Sequence, residues 1–162
     1  MTKEPAMTRA QAVAAIEAGI AKAQELKNLG YELLATGEMG IGNTTTSSAV
    51  ASVLLDQPVE EMTGRGAGLT SEGLVRKIAA IRKAIELNQP DPSDAIDVLA
   101  KVGGLDIAGM AGVFLGGAVY HVPVIMDGFI SCVSALIAMQ ICPACRGLYP
   151  GISCIEEPAC AI

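Results

Sequence analysis

The sequence predicts an α/β fold, an open and mainly parallel Rossmann-like sheet flanked by helices in three layers. Short apolar segments alternate with helical segments, glycine-rich loops adjoin the helices, and apolar residues make up 51% of the 162 residues. Such a composition suffices for one domain with a substantial core, and alternating strands and helices are typical of covered parallel sheets. We predict a single domain over residues 1–162, with a core at about 4–143 and an irregular tail at 144–162.

The first half of the chain predicts a helix, a strand, a glycine-rich loop and a second helix, in that order. Thr8 and Gln11 form the pattern of a capping box at the start of the first helix, which ends at Gly30. Residues 31–35 are predicted to form a buried strand. The hydroxyl-rich segment from Thr44 suits the first turn of the next helix. The predicted buried face of the first helix consists of Val13, Ile16, Ile20 and Leu26.

The second half of the chain predicts further helices and one strand after a second glycine-rich loop, TGRGAG at 63–68. The helix after this loop starts at Thr70 or Ser71, because both residues are good N-caps. The later elements are a helix capped by Ser93 and reaching Val102, a helix at 106–120, a strand at 122–126 and a helix at 129–141. Asp127 and Gly128 are expected to form the turn between the last two.

The charge balance argues against nucleic acid as a partner. The chain has 11 Lys and Arg residues against 17 Asp and Glu residues, which gives a formal net charge of -6. A field of this sign repels polyanions. It does not exclude a small phosphorylated ligand, because the backbone amides at a helix start can bind one phosphate without a basic surface.

The sequence favours a cytoplasmic protein that does not enter the membrane. The chain does not open with a signal-peptide pattern. Its five cysteines are an odd number concentrated near the end, which suits reduced thiols in the cytosol better than a disulfide framework. A membrane segment at 107–126 is the alternative, but His121 and Pro123 divide this apolar stretch and no Lys or Arg flanks it.

The cysteines also raise the alternative of a metal site. Cys142 and Cys145 form a C-x-x-C pair, and Cys154 and Cys160 follow, so that four thiolates could hold zinc. The second pair lacks the short spacing that a zinc ribbon would repeat. We therefore predict no metal, and reduced thiols in a poorly packed tail.

The segment TGEMGIGNTTTSSAV at 36–50 predicts a ligand site. It follows a predicted strand, and ligands of parallel sheets lie beyond the carboxyl ends of the strands. Gly37, Gly40 and Gly42 let the backbone approach a ligand closely, and the amides that open the next helix suit a phosphate. Because the pattern is neither a dinucleotide fingerprint nor a P-loop, a tight turn with hydroxyl caps is the alternative. Glu38 would repel a phosphate, so it either acts on another part of the ligand or is a solvated loop acid.

Several long motifs, in order along the chain, resemble one enzyme family. They are EPAMT (4–8), GEMGIGNTTTSSAV (37–50), TGRGAGL (63–69), the helix that carries Lys77, GGLDIAGMAG (103–112) and PVIMDGFIS (123–131). From about Glu4 to Pro143 the chain closely resembles the nicotinate-nucleotide:dimethylbenzimidazole phosphoribosyltransferases of cobalamin lower-ligand biosynthesis. The resemblance implies transfer of phosphoribosyl from nicotinate mononucleotide to dimethylbenzimidazole, which gives α-ribazole phosphate and nicotinate.

The resemblance also implies a set of site residues. Glu38 resembles an active-site acid and is the candidate catalytic residue. The implied substrate-binding residues are Gly40, Gly42, Asn43, Thr44, Gly64, Gly66, Lys77 and Asp127. A plain surface lysine at the edge of the buried face is the alternative for Lys77, and a helix cap is the alternative for Asp127. No cofactor or metal is implied, since no pyrophosphate leaves, and the family implies a homodimer.

The chain departs from the family pattern in length and near its end. Family chains are considerably longer at both ends, and a C-terminal glycine-rich segment carries the glutamate usually assigned as general base. At 152–158 this chain has the sequence ISCIEEP, whereas the corresponding family pattern resembles SHxSxEP. Ile155 therefore occupies the position of a phosphate-contacting serine. We expect a chain that binds the mononucleotide but lacks the catalytic C-terminal segment. A non-catalytic nucleotide-binding or interaction module derived from the same enzyme is the alternative.

Overall fold

The computed structural model of the chain describes residues 1–145, which contain six α-helices and two β-strands. Their order is α1 (Arg9–Asn28), β1 (Leu34–Gly37), α2 (Thr44–Leu54), α3 (Ser71–Asn88), α4 (Ala95–Val102), α5 (Leu105–Tyr120), β2 (Val124–Asp127) and α6 (Gly128–Ile141). A short 3-10 helix follows at Pro143–Cys145. The predictions for Cys154, Ile155 and Cys160 fall on residues outside the described part.

The two strands form a parallel sheet. Leu34 lies opposite Val124, and Gly37 lies opposite Asp127. The carboxyl ends of both strands therefore meet at one edge, where the first glycine-rich loop also begins. The prediction of an α/β fold with a parallel sheet is confirmed.

The helices of the described residues contact one face of this sheet. Leu34 and Thr36 are buried on that face, and Thr36 Oγ1 lies 2.5 Å from Ser131 Oγ of α6. Ala35 and Gly37 alternate with them and are exposed. Helix α5 also contacts both strands and packs along α6. The second covering layer of a three-layer arrangement stays a prediction.

Helices α1 and α5 pack backbone against backbone. A Cβ atom on Gly112 would overlap the carbonyl oxygen of Ile16, and one on Gly19 would overlap the carbonyl oxygen of Gly109. The buried face of α1 consists of Ala12, Ile16, Gly19 and Ala23. Of the predicted face of Val13, Ile16, Ile20 and Leu26, only Ile16 is buried, because this close approach selects the smallest side chains for the line of contact. Ile20 and Leu26 are half-buried and pack against the core.

The first strand starts three residues later than predicted. The Tyr31 amide donates to the Leu26 carbonyl oxygen at 3.1 Å, so Tyr31 still belongs to the turn that ends α1. Tyr31 and Leu33 are 55% and 54% exposed, and the strand begins only at Leu34. The predicted buried strand at 31–35 was wrong in register for this reason. The second strand is displaced in the same direction, from 122–126 to Val124–Asp127.

The helix caps are mostly those predicted. The capping box of Thr8 and Gln11 is present, and Thr70 caps α3. The prediction that Ser93 caps α4 was wrong. Asp94 caps it by accepting from two backbone amides, whereas the Ser93 hydroxyl donates to Asp91. A carboxylate is a stronger acceptor than a hydroxyl, which accounts for the shift of one residue.

The structure also bears on the apolar stretch at 107–126. Within residues 1–145, no helix has the combination of length and hydropathy that a membrane crossing requires.

Candidate functional site

The loop after β1 turns sharply into α2. Gly40 and Gly42 have φ angles of 81° and 88°, in the left-handed region that favours glycine. Helix α2 begins at Thr44, and the preceding residue, Asn43, makes no side-chain cap to it. The first amides of α2 are therefore not occupied by a capping side chain. Such a helix start carries a partial positive charge and can bind an anion.

Lys77 of α3 joins the two glycine-rich loops. Its ammonium donates to Thr44 Oγ1 at 2.8 Å and to the Gly64 carbonyl oxygen at 3.0 Å. Lys77 is only 7% exposed and belongs to the buried face of α3, so the alternative of a plain surface lysine was wrong. Gly66 completes the contact, because a Cβ atom there would come within 2.8 Å of Thr44 Oγ1. A larger residue at 66 would push the two loops apart.

Two adjoining cavities lie over these loops, and both are lined by Gly40, Thr44 and Ala67. The first, of about 160 Å³, is also lined by Glu38, Met39, Gly66, Gly128, Phe129 and Ile130. The second, of about 240 Å³, is also lined by Gly42, Thr45, Arg65, Gly68, Leu69 and Lys77. The first cavity thus combines a carboxylate with apolar side chains. The second combines two cationic residues with the start of α2.

Glu38 and Asp127 lie at the carboxyl ends of the two strands. Asp127 Oδ2 would be 3.3 Å from a Cβ atom on Gly37, so its carboxylate lies beside the end of β1. Asp127 makes no side-chain cap to α6, and the alternative of a helix cap was therefore wrong. Glu38 is exposed at the rim of the first cavity. Both carboxylates are accessible to a ligand at this edge of the sheet.

Asn43 and Asp106 join the start of α2 to the start of α5. Asn43 Nδ2 donates to Asp106 Oδ2 at 2.7 Å. Gly104 provides the space for this carboxylate, since a Cβ atom there would overlap Asp106 Oδ1. Asn43 Oδ1 is buried and has no hydrogen-bond partner among the described residues. The pair therefore fixes Asn43 through its donor side alone.

Among the helices of residues 1–145, three begin without a side-chain cap. They are α2, α5 and α6. The starts of α2 and α6 line the cavities, and the start of α5 is joined to that of α2 by the Asn43–Asp106 pair. The other three are capped by Thr8, Thr70 and Asp94. Uncapped starts leave amide donors for a ligand. The arrangement can bind a phosphate in the second cavity and a flat ring with a polar nitrogen in the first.

The structure brings most of the predicted site residues together. Those that line the cavities are Glu38, Gly40, Gly42, Thr44, Gly66 and Lys77. Gly64 contacts them through Lys77, while Asn43 and Asp127 lie beside the cavities. Their roles in substrate binding stay predictions.

Sequence reasoning missed two residues of this region, Arg65 and Asp106. The Arg65 guanidinium donates to the Leu69 carbonyl oxygen at 2.9 Å and to Ser71 Oγ at 3.1 Å, which fixes it at the second cavity. Its position between two glycines of the TGRGAG loop was a usable signal. Asp106 carried no local signal, because its partner Asn43 is 63 residues away in the chain.

Residues 1–145 contain no group of three or more His, Cys, Asp or Glu residues that could hold a metal ion. Cys142 and Cys145 are not in disulfides. The other two residues of the predicted alternative, Cys154 and Cys160, lie outside the described residues.

Comparison with known proteins identifies a family. The family model DBI_PRT, described as "Phosphoribosyltransferase", matches residues 1–162. The chain is 60% identical over 144 residues to the nicotinate-nucleotide--dimethylbenzimidazole phosphoribosyltransferase of Ruminiclostridium cellulolyticum, which covers 89% of this chain and 41% of that protein. The protein of the same name from Desulforudis audaxviator is 49% identical over 162 residues, 100% of this chain and 46% of its own length.

A solved structure shows the same similarity. CobT from Thermus thermophilus matches with a TM-score of 0.91 and 36% sequence identity, over 98% of this chain and 47% of that chain. The chain spans less than half the length of each of these relatives.

Proposed function

The chain belongs to this phosphoribosyltransferase family, and we propose that it binds nicotinate mononucleotide for phosphoribosyl transfer to dimethylbenzimidazole in cobalamin biosynthesis. Both curated relatives described above bear the name of an enzyme with these two substrates. The alternative of a non-catalytic module is not favoured, because these names are those of an enzyme.

The observation that carries this proposal is the division of the site into two unlike cavities. The second cavity, with Lys77, Arg65 and the uncapped start of α2, suits the phosphate of the mononucleotide. The first cavity, with Phe129 and Met39, offers apolar surface to a flat ring. The residues shared by both cavities then lie beside the ribose. Phosphate, sugar and the incoming dimethylbenzimidazole ring are thereby assigned to one continuous path.

The reaction requires two ring positions on opposite faces of the ribose. A ring nitrogen of dimethylbenzimidazole attacks C1′, the bond from C1′ to the nicotinate nitrogen breaks, and its electron pair neutralises the departing pyridinium. The incoming imidazole must lose its N–H proton, for which a carboxylate is a suitable acceptor. Holding both rings in line with C1′ supplies much of the rate enhancement. Glu38 is the carboxylate of the first cavity and is proposed to face the incoming base.

We propose that Glu38 assists this proton transfer without being the main base. The resemblance assigns that base to a C-terminal glutamate of the longer family chains. An assay of these 162 residues by themselves measures the site without that glutamate, and proton-transfer catalysis is worth ~10²–10⁴-fold. The 162-residue chain is therefore expected to bind the mononucleotide while its turnover stays close to the detection limit.

Calorimetry and a product assay test the proposal together. The chain, Glu38→Gln and the control Glu17→Gln, an exposed change on α1, are titrated with nicotinate mononucleotide and with NAD. Each is then incubated with the mononucleotide and dimethylbenzimidazole, and α-ribazole phosphate is followed by chromatography. Preferential binding of the mononucleotide is expected from all three. Preference for NAD would contradict the proposal, and product that disappears only in Glu38→Gln would make Glu38 the base.

The same family membership suggests a homodimer. Leu29, Tyr31 and Leu33 are 68%, 55% and 54% exposed just before the start of β1, which places three large apolar side chains on the surface within five residues. Association through this area is proposed, and sedimentation at micromolar concentration checks it, a clean monomer being the contrary result. The thiols of Cys142 and Cys145, which are not in disulfides, are in keeping with a cytoplasmic location, which we propose. The proposal that nucleic acid is not a partner rests on the net charge of -6.

A further inference from the structure

The side chain of Asn43 is turned away from the helix that it precedes. An asparagine at this position normally directs its side-chain oxygen to the second or third amide of the helix. Asn43 makes no such bond to α2. Its Nδ2 atom instead donates to Asp106 Oδ2 at 2.7 Å, and its Oδ1 atom is buried without a partner among the described residues. One contact with Asp106 has replaced the usual cap.

The backbone of Asn43 is held in the corresponding conformation. Its φ and ψ angles are −113° and −3°, whereas a capping residue is normally extended. The Asn43 carbonyl oxygen accepts from Thr46 Oγ1 at 2.8 Å, from Ser47 Oγ at 3.1 Å and from the Ser47 amide at 3.2 Å. Asn43 is thus tied to α2 through its carbonyl group and to α5 through its side chain.

We propose that Asp106 is a positioning residue that holds the Asn43 side chain away from α2 and so keeps the first amides of that helix open to the substrate's phosphate. The inference rests on the proposed function, because it assigns the phosphate to the start of α2. Asp106 touches no ligand in this scheme and acts only through Asn43. Gly104 supports the same arrangement, since only a residue without a Cβ atom leaves room for the Asp106 carboxylate.

Loss of the Asp106 charge and loss of its hydrogen bond are expected to change phosphate affinity in opposite directions. A carboxylate near a phosphate site repels the ligand, so removal of its charge alone would tighten phosphate binding. Loss of the hydrogen bond has the opposite effect, because the released Asn43 side chain can turn to cap α2 and compete with the ligand for its amides. Asp106→Ala is expected to weaken phosphate binding about tenfold, a change equivalent to one hydrogen bond.

Two further variants separate positioning from a general structural role. Asp106→Asn keeps an oxygen that can accept from Asn43 Nδ2, and it should bind within about threefold of the unmodified chain. Asn43→Gly removes the competing side chain while glycine remains acceptable before a helix. The double variant Asn43→Gly/Asp106→Ala is therefore expected to recover the binding that Asp106→Ala loses. A purely structural defect would not be rescued by a second deletion.

The experiment titrates the 162-residue chain and these variants with inorganic phosphate and with nicotinate mononucleotide by calorimetry. Thermal unfolding verifies that each variant is folded, and Asp106→Ser replaces Asp106→Ala if the latter is not. Asp97→Ala is the matched control, because Asp97 is the first-turn acid of α4 and contacts Lys101. It should leave phosphate binding unchanged.

The outcomes distinguish the two proposals. Weaker binding in Asp106→Ala, with recovery in Asp106→Asn and in the double variant, supports the positioning role. Equal or tighter phosphate binding in folded Asp106→Ala, or no recovery in the double variant, overturns it. If the unmodified chain binds inorganic phosphate but not the mononucleotide, the proposed function fails while the variants still decide the role of Asp106. If it binds neither ligand, both proposals fail.

Discussion

The contact between α1 and α5 makes Gly112 the position of α5 that is expected to be most sensitive to one added methyl group. In Gly112→Ala the new Cβ atom would overlap the Ile16 carbonyl oxygen and lie 2.8 Å from the Ile16 carbonyl carbon and 3.0 Å from Gly19 Cα. All three are backbone atoms, which cannot turn aside as a side chain could. Alanine favours the helix by about 1 kcal/mol over glycine, but overpacking costs about 1–3 kcal/mol or more. We expect net destabilisation.

Gly109→Ala is the matched control on the same helix. Its Cβ atom would meet only the Ala15 carbonyl oxygen, at 3.9 Å, which is an ordinary contact. The gain in helix propensity is then unopposed, and the free energy of unfolding should rise by about 0.5–1 kcal/mol. For a chain of this length, 1 kcal/mol corresponds to about 2–4 °C in Tm. The two variants should therefore move Tm in opposite directions.

Urea unfolding and thermal unfolding of the unmodified chain, Gly112→Ala and Gly109→Ala measure the differences in their free energies of unfolding. A common slope of the free energy against urea would show that stability and not compactness has changed. The reasoning is refuted if Gly112→Ala is as stable as Gly109→Ala, because the helices would then be able to separate at no cost.

Two other predictions concern charged residues. Arg65→Ala should weaken mononucleotide binding about tenfold, and by less at high salt. The control Arg76→Ala, on the exposed side of α3, should leave the affinity unchanged. Equal affinities of the two variants by calorimetry would exclude Arg65 from the phosphate site. The hydrogen bond from Arg9 lowers the pKa of Asp94 in the folded chain. This interaction therefore stabilises the fold at pH values above the ordinary pKa of an aspartate, and the stabilisation is lost as the pH falls through the lowered pKa. Asp94→Asn, which keeps the cap of α4, should show a slightly lower urea midpoint at neutral pH and converge with the unmodified chain in acid; a gap that persists in acid would contradict this.

Local features of the fold could be predicted from the sequence. The capping box of Thr8 and Gln11 joins residues three positions apart, so the sequence contains both partners within one turn. The cap by Thr70 is local in the same way. The sequence motif also located the glycine-rich loop, because the left-handed angles at Gly40 and Gly42 are a property of those residues themselves.

Features that depend on distant partners could not be predicted. Lys77 is buried because it donates to Thr44, 33 positions away, and no periodicity in α3 contains that information. Tyr31 and Leu33 are as apolar as the residues of a buried strand, yet the turn that ends α1 leaves them exposed. For Asp106, the decisive partner is contributed by another helix.

The bridge that Lys77 makes between Thr44 and Gly64 affects the entropy of binding. Glycine-rich loops lose much conformational freedom when they close on a ligand, and that loss opposes association. Here the ammonium of Lys77 connects both loops within the folded chain, so most of this freedom is lost on folding and not on binding. A ligand that enters the site then meets a surface already ordered, so that little of its binding free energy is spent on rearranging the protein.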